Sequence, residues 1–289
     1  MKKNLLFGLL VAITFTAISQ NNINTLSIIP QPASVVLGKG SFALKNATVI
    51  QLSTRDTSAV KVAHFLAEKL RMATGYPFPV KQPTFKGPVS SAIRLALQSD
   101  TSLGKEGYTL KVLPNAILIT ASKPAGLFYG MQTLLQLLPK EIESKEVVEK
   151  ASWSLPVVTI TDKPRFGWRG LMFDVSRHFF TKQDVKTFID DMVRYKYNLL
   201  HLHLADDEGW RIEIKGLPRL TEVGAWRPTK VGYFGTFPAP AADEPKNYGG
   251  FYTQDDIREI VRYAKDRFVD ILPEIDVPGH SLAAVSSYP

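Results

Sequence analysis

Between Gly170 and Ile275 three short apolar runs alternate with two amphipathic helical patterns, and this rhythm restricts the fold more than any other stretch of the chain. The first run, Leu171 to Phe173, ends in Asp174-Val175-Ser176-Arg177-His178. Thr181 with Asp184 three residues on then predicts a helix N-cap, ahead of a face made of Val185, Phe188, Ile189, Met192 and Val193. The second run starts at Tyr197, passes through His201-Leu202-His203-Leu204 and breaks into Asp206-Asp207-Glu208-Gly209-Trp210. After an insertion rich in Gly, Pro and aromatics (Trp210 to Tyr252), Thr253 and Asp256 repeat the cap signal. The helix they open is expected to bury Ile257, Ile260, Val261, Ala264 and Phe268, and a third strand, Val269 to Ile275, ends in Glu274, Asp276, Pro278, Gly279 and His280. Strand, helix, strand, helix, strand with right-handed crossovers gives a parallel sheet or the opening of a (β/α)8 barrel. In such folds ligands bind at the C-terminal ends of the strands. All three ends here are polar.

The first half has another pattern. From Ile28-Ile29-Pro30-Gln31-Pro32 to about Pro156, short strand-like runs at 35–37, 48–52, 93–97, 108–112 and 116–120 accompany two helical patterns. Ser58 to Met72 places Val62, Phe65, Leu66, Lys69 and Leu70 on one side; Lys123 to Leu138 carries Leu127, Met131, Leu134, Leu135 and Leu138. An α+β domain with a small sheet backed by helices is expected. Glu141 to Ser154 reads as a loop or an edge strand, and no catalytic constellation stands out in this half.

Lys2 and Lys3, the apolar stretch Leu5 to Ile18 and the small residues before Gln20 read as a secretory signal peptide, too short for a good spanning helix. The expected division is therefore a signal over 1–19, an α+β domain over 20–160 and a catalytic unit over 161–289. That last unit is about half of the ~250 residues a (β/α)8 barrel takes, so a barrel cut off after its first three strands is expected. Export to the periplasm or the outside of a bacterium follows from the signal. The net charge of +8 is scattered among acids, as in Arg258-Glu259, without the basic and aromatic clustering of a nucleic-acid surface. There is no cysteine, so stability rests on the core rather than on disulfides.

Arg177, Asp206 and Asp276 with His280 sit at successive strand ends. Each alone could be a buried ion pair holding a loop; three in a row favour a site. His201 and His203 share one side of a strand, which is also a metal-ligand spacing. The surrounding residues give no definite ligand set, so histidines of the core or supporting the site are the expectation, with neither metal nor cofactor.

Three stretches, Trp168 to Phe180, Tyr197 to Arg211 and Pro273 to His280, together with the opening Pro30-Gln31-Pro32, closely resemble glycoside hydrolase family 20, the β-N-acetylhexosaminidases. The resemblance implies an α+β N-terminal domain followed by a (β/α)8 barrel. It also implies release of terminal β-linked N-acetylglucosamine or N-acetylgalactosamine with retention, the sugar's own 2-acetamido oxygen attacking its anomeric carbon. By the same resemblance Arg177 would hold the sugar's O3 and O4, Asp206 and His280 would form a relay supporting the acid, and Asp276 would be a pocket carboxylate near that relay. Asp207 and Glu208 would fall in the run after Asp206. The family's catalytic Asp-Glu pair, in a Gly-Gly-Asp-Glu run on the fourth strand, has no counterpart among residues 1–289, so this chain by itself is expected to be inactive. A non-catalytic carbohydrate-binding product of the same fold, and a metal-dependent barrel hydrolase, are the alternatives. The expected partners are glycans ending in those two amino sugars, with no nucleic acid and no membrane once the signal is removed.

Overall fold

The computed structural model describes residues 26–82, 91–229 and 241–289; the expected signal peptide lies outside the described residues. The first half is built on a seven-stranded mixed sheet. Its strands are β1 (Ser34–Ala43), β2 (Val49–Leu52), β3 (Val80–Lys81), β4 (Ala92–Leu97), β5 (Tyr108–Leu113), β6 (Ala116–Ala121) and β7 (Ser154–Asp162), in the order β1-β7-β5-β6-β4-β2-β3. Two helices, α1 (Thr57–Thr74) and α2 (Pro124–Leu137), cover it. The Asp56 carboxylate accepts from Ala59 N at 2.9 Å and starts α1. Gly75, with φ 71°, ends it in the left-handed conformation that glycine reaches without steric cost.

Here the sheet is larger than the sequence predicts. Residues 141–153 form a 3-10 turn and loop, as expected, but the strand β7 that follows has no counterpart in the sequence reading: it lies between β1 and β5, antiparallel to both. Leu155, Val158 and Ile160 are its buried residues, and Pro156 pairs with Ser41, past an irregularity between Leu37 and Ser41 where the ladder tolerates a missing N–H. On α1 the buried stripe is Ala59, Val62, Ala63, Leu66, Ala67, Leu70 and Ala73, so alanines rather than Lys69 face the sheet.

The second half holds three parallel strands. β9 (Leu199–Asp206) is central, with β8 (Gly170–Asp174) on one side and β13 (Asp270–Ile275) on the other. α3 (Lys182–Arg194) links β8 to β9, and α5 (Gln254–Lys265) precedes β13. Both start in reciprocal capping boxes, Thr181 with Asp184 and Thr253 with Asp256. α3 buries Val185, Ile189, Met192 and Val193; α5 buries Ile260 and Ala264, while Val261 faces solvent. Leu200, Leu202 and Leu204 of β9 join this core, which sends His201 and His203 to the opposite side of the strand. The insertion contributes β10 (Gly209–Trp210), α4 (Arg219–Glu222) and the paired β11 (Trp226–Arg227) and β12 (Tyr248–Gly249); α6 (Leu282–Ser287) follows β13. Among the described residues these three strands form an open sheet. One contiguous apolar core runs through both halves, from Ile28 to Val269. No helix of the described residues is long and apolar enough to cross a membrane.

Candidate active site

The three polar strand ends converge, and Asp206 is their hub. Its side chain is 2% exposed at the end of β9, and such a carboxylate persists only if its oxygens are met by donors. Oδ2 takes Arg177 Nη2 and His203 Nε2, each at 2.8 Å; Oδ1 accepts from Asp207 N at 2.7 Å and faces His280 Nδ1 at 3.1 Å. Arg177 also reaches Asp174, Nη1 donating to Oδ2 at 2.6 Å, while the backbone N–H groups of Ser176 and Arg177 donate to the other oxygen at 3.0 Å. A guanidinium spread over two carboxylates in this way is fixed in plane and direction. Burial pushes the Asp174 carboxyl upward, but the hydrogen bonds and charge of Arg177 outweigh it and hold the group below the usual range. Burial likewise works against the Arg177 cation, and Asp174, Asp206 and Glu208 more than offset it.

Loop chemistry places these groups. His280 adopts φ 52°, a left-handed conformation uncommon for a residue with a Cβ, and so turns its ring towards Asp206. Beneath Arg177 lies Arg211, fully buried, donating to the carbonyls of Val175, Ser176, Ala225 and Gly250 at 2.7–3.1 Å. Burial pulls its pKa down to about 10, well above neutrality, so a charged fork still staples the loop that carries Arg177 to the insertion. A Cβ on Gly209 would sit 2.3 Å from that guanidinium, which is why glycine precedes Trp210. Arg227 completes the clamp, Nη2 donating to Arg177 O at 3.0 Å.

Asp276, half-buried, lies one step along: its carboxylate, a ring nitrogen of His203 and a Glu274 oxygen all fall within 4.8 Å of one another. Asp206, Asp207 and His280 form a second such trio. Neither fits a metal well. Both His203 nitrogens already face carboxylates, Nε2 towards Asp206 and Nδ1 towards Glu274 Oε1 at 3.3 Å, and Asp206 has four partners; a cation would have to displace them.

Arg177, Asp206, Asp276 and His280 thus share one surface, as their positions at strand ends predict. Glu274, which meets both His201 and His203, and Asp174, which holds Arg177, stand at strand ends in the sequence but carry no assigned role there. The available signal was parity: Asp174, His203 and Glu274 occupy one cross-strand row of the parallel sheet. Arg211 gave no such sign, because a buried arginine bound only by carbonyls has no partner visible in sequence. A separate cleft of about 1200 Å³ on the seam between the halves, beside Lys61, Gly104 and Asp270, holds none of these groups.

Residues 25–163 match the family model described as glycosyl hydrolase family 20, domain 2, and residues 166–289 the model of that family's catalytic domain. A β-hexosaminidase of Porphyromonas gingivalis is 40% identical over 264 residues, covering 91% of this chain and 32% of that protein. An N,N'-diacetylchitobiase of Vibrio harveyi is 34% identical, over 90% of this chain and 28% of its own length. Among solved structures, a mutant Streptomyces plicatus β-hexosaminidase in complex with product (GlcNAc) superimposes with a TM-score of 0.79 at 44% identity, covering 90% of this chain and 48% of that one. The chain therefore spans between about a quarter and a half of the length of these relatives. From the sheet and helices of its first half to the polar strand ends of its second, this chain belongs to glycosyl hydrolase family 20.

Proposed function

We propose that this chain supplies the N-terminal domain and the sugar-holding part of a retaining β-N-acetylhexosaminidase acting on glycans that end in β-linked N-acetylglucosamine or N-acetylgalactosamine. The observation that carries the reading is the convergence of Arg177, Asp206 and His280 on one surface, in a chain whose relatives are named β-hexosaminidases. Asp174 and Asp206 fix the plane of the Arg177 guanidinium, and a planar fork suits the adjacent O3 and O4 hydroxyls of a pyranose. Asp206 holds His280 by Nδ1, which leaves Nε2 to act on a neighbouring acid and sets which nitrogen carries the proton. Asp276 adds a carboxylate beside the same floor. In this reading β8, β9 and β13 are the opening strands of a (β/α)8 barrel, and the basic and apolar start of the sequence directs export.

Nucleophilic help comes from the substrate: with the sugar held, attack of its acetamido oxygen is intramolecular and sheds much of the entropic barrier. The proton for the leaving oxygen comes from none of the carboxylates gathered here. Asp174, Asp206 and Glu274 each face a cation or an imidazole, contacts that suit positioning rather than proton donation. The expected behaviour of a polypeptide of these 289 residues is binding of N-acetylglucosamine without turnover of a chromogenic N-acetylglucosaminide. Calorimetry and an absorbance assay check both. Absence of sugar binding would remove the proposal, and turnover would overturn the assignment of the acid elsewhere. A purely carbohydrate-binding role gives the same binding but no activity in any longer polypeptide carrying this sequence.

A further inference from the structure

The imidazole of His203 is surrounded on three sides by carboxylates. Along the sheet it lies in register with Asp174 of β8 and Glu274 of β13, and at the strand end it meets Asp206. Nε2 is 2.8 Å from Asp206 Oδ2 and Nδ1 is 3.3 Å from Glu274 Oε1, with the side chain only 5% exposed. A neutral imidazole donates from one nitrogen only and would present a lone pair to one of these carboxylates; the imidazolium donates from both. We propose that His203 is a positioning residue, held as an imidazolium between Asp206 and Glu274, which locks the Asp206 carboxylate with one oxygen on Arg177 and the other on His280. The proposal rests on the hydrolase reading for its purpose, though its charge state and geometry are testable without a sugar.

The groups facing His203 are Asp174 from β8, Asp206 from its own strand, and Glu274 with Asp276 from β13 and its end; Arg177, bound to Asp174 and Asp206, is the nearest cation in the network. His201 lies two residues earlier and meets the second Glu274 oxygen. Burial works against the His203 cation, and its hydrogen bond to Asp206 with the charges of Asp174, Glu274 and Asp206 raises its pKa in spite of that. The charge matters because Asp206 must serve Arg177 and His203 on a single oxygen. Two cations on one side and a backbone N–H on the other leave that carboxylate one orientation, with His280 addressed by what remains.

Nitrogen NMR of the whole chain labelled at histidine tests this. The titration midpoint of His203 should lie above the ordinary value of about 6.5, with both ring nitrogens protonated below it. Glu274→Gln should lower its titration midpoint by about one pH unit, the size expected for losing one adjacent opposite charge. In His203→Gln, which keeps a donor for Asp206 without the charge, the Arg177 guanidinium and His280 ring signals should move while the folded spectrum persists. A wild-type His203 that titrates at or below the ordinary value of about 6.5, or Arg177 and His280 signals that stay put in His203→Gln, would overturn the proposal. Should His203→Gln fail to fold, the Glu274→Gln shift alone decides. Failure of N-acetylglucosamine to bind would remove the hydrolase reading and leave these results standing.

Discussion

At the scale of single residues, the site depends on how few ways its charges can be arranged. Arg177 is placed by Asp174 and Asp206, by its own loop and by the buried Arg211 beneath it. Lysine keeps the charge but offers one compact ammonium where the guanidinium offers a planar fork. Arg177→Lys should therefore leave the fold intact and weaken N-acetylglucosamine binding tenfold or more, for a loss of about 1.5–3 kcal/mol per charge-assisted hydrogen bond. Calorimetric titration of the variant against wild type measures this, and an unchanged affinity would exclude Arg177 from the sugar's contacts. Arg177, Asp206, Asp276 and His280 were legible because they stand where strands run out, where apolar patterning stops. His203 was legible only as a histidine of the core or supporting the site; its particular importance comes from Asp174 and Glu274, about 30 and 70 positions away in the chain and adjacent only after the strands pair.

At the scale of elements, the two capping boxes were legible as Thr-x-x-Asp, since a cap is local chemistry. What ties the capped helices together was not. Lys182, in the first turn of α3, reaches Asp256 at 2.6 Å and Glu259 at 2.7 Å on α5, and Lys186 also meets Glu259. The hydrogen bond from Lys182, with help from Thr253, pulls the Asp256 carboxyl down to about 2. Lys182 and Lys186 together bring Glu259 to about 2. Folded-state values below the unfolded ones mean stability that is fully present above the unfolded carboxyl range and is lost as pH falls through the folded values. Wild type should accordingly melt at a higher temperature than Lys182→Met above pH 5, and the gap should close between about pH 4 and 2, the window set by these shifts. Thermal melts of both proteins across that range check the sign; a gap that widens in acid would refute it. The missed strand β7 has a local cause too: Pro156 and the charged run before it hide a strand that only pairing with β1 and β5 makes evident.

At the scale of the whole molecule, two positions after helices explain why the halves share one core. Chains commonly leave an α-helix through a left-handed residue that is usually glycine. Here Lys196 after α3 and Phe268 after α5 hold that conformation, with φ 63° and 59°, each at an expected cost of about 1 kcal/mol or more. Their side chains show what is gained. Phe268 packs on Phe128 of α2 at 5.3 Å between ring centres, and Lys196 crosses to the first half, Nζ donating to Asp162 at 2.8 Å and to Tyr108 OH at 2.9 Å. Arg169 and Asn198 make parallel links to Glu106 at 2.8 and 3.0 Å. Sequence patterning could not reveal this seam, because positive φ at a lysine or phenylalanine leaves no periodic trace. Burial pulls the Lys196 ammonium below its ordinary range against the attraction of Asp162, so the pair is held by geometry rather than by solvent. Removing only the cation strands Asp162 beside a buried phenol. Lys196→Met should cost about 3 kcal/mol, within the range for breaking a buried pair on one side, and Lys196→Met with Asp162→Asn should recover part of it. Urea unfolding followed by tryptophan fluorescence and by circular dichroism measures both variants. Because the core is continuous, wild type should unfold in one transition by both probes, and a variant that separates the probes would show the seam failing before either half.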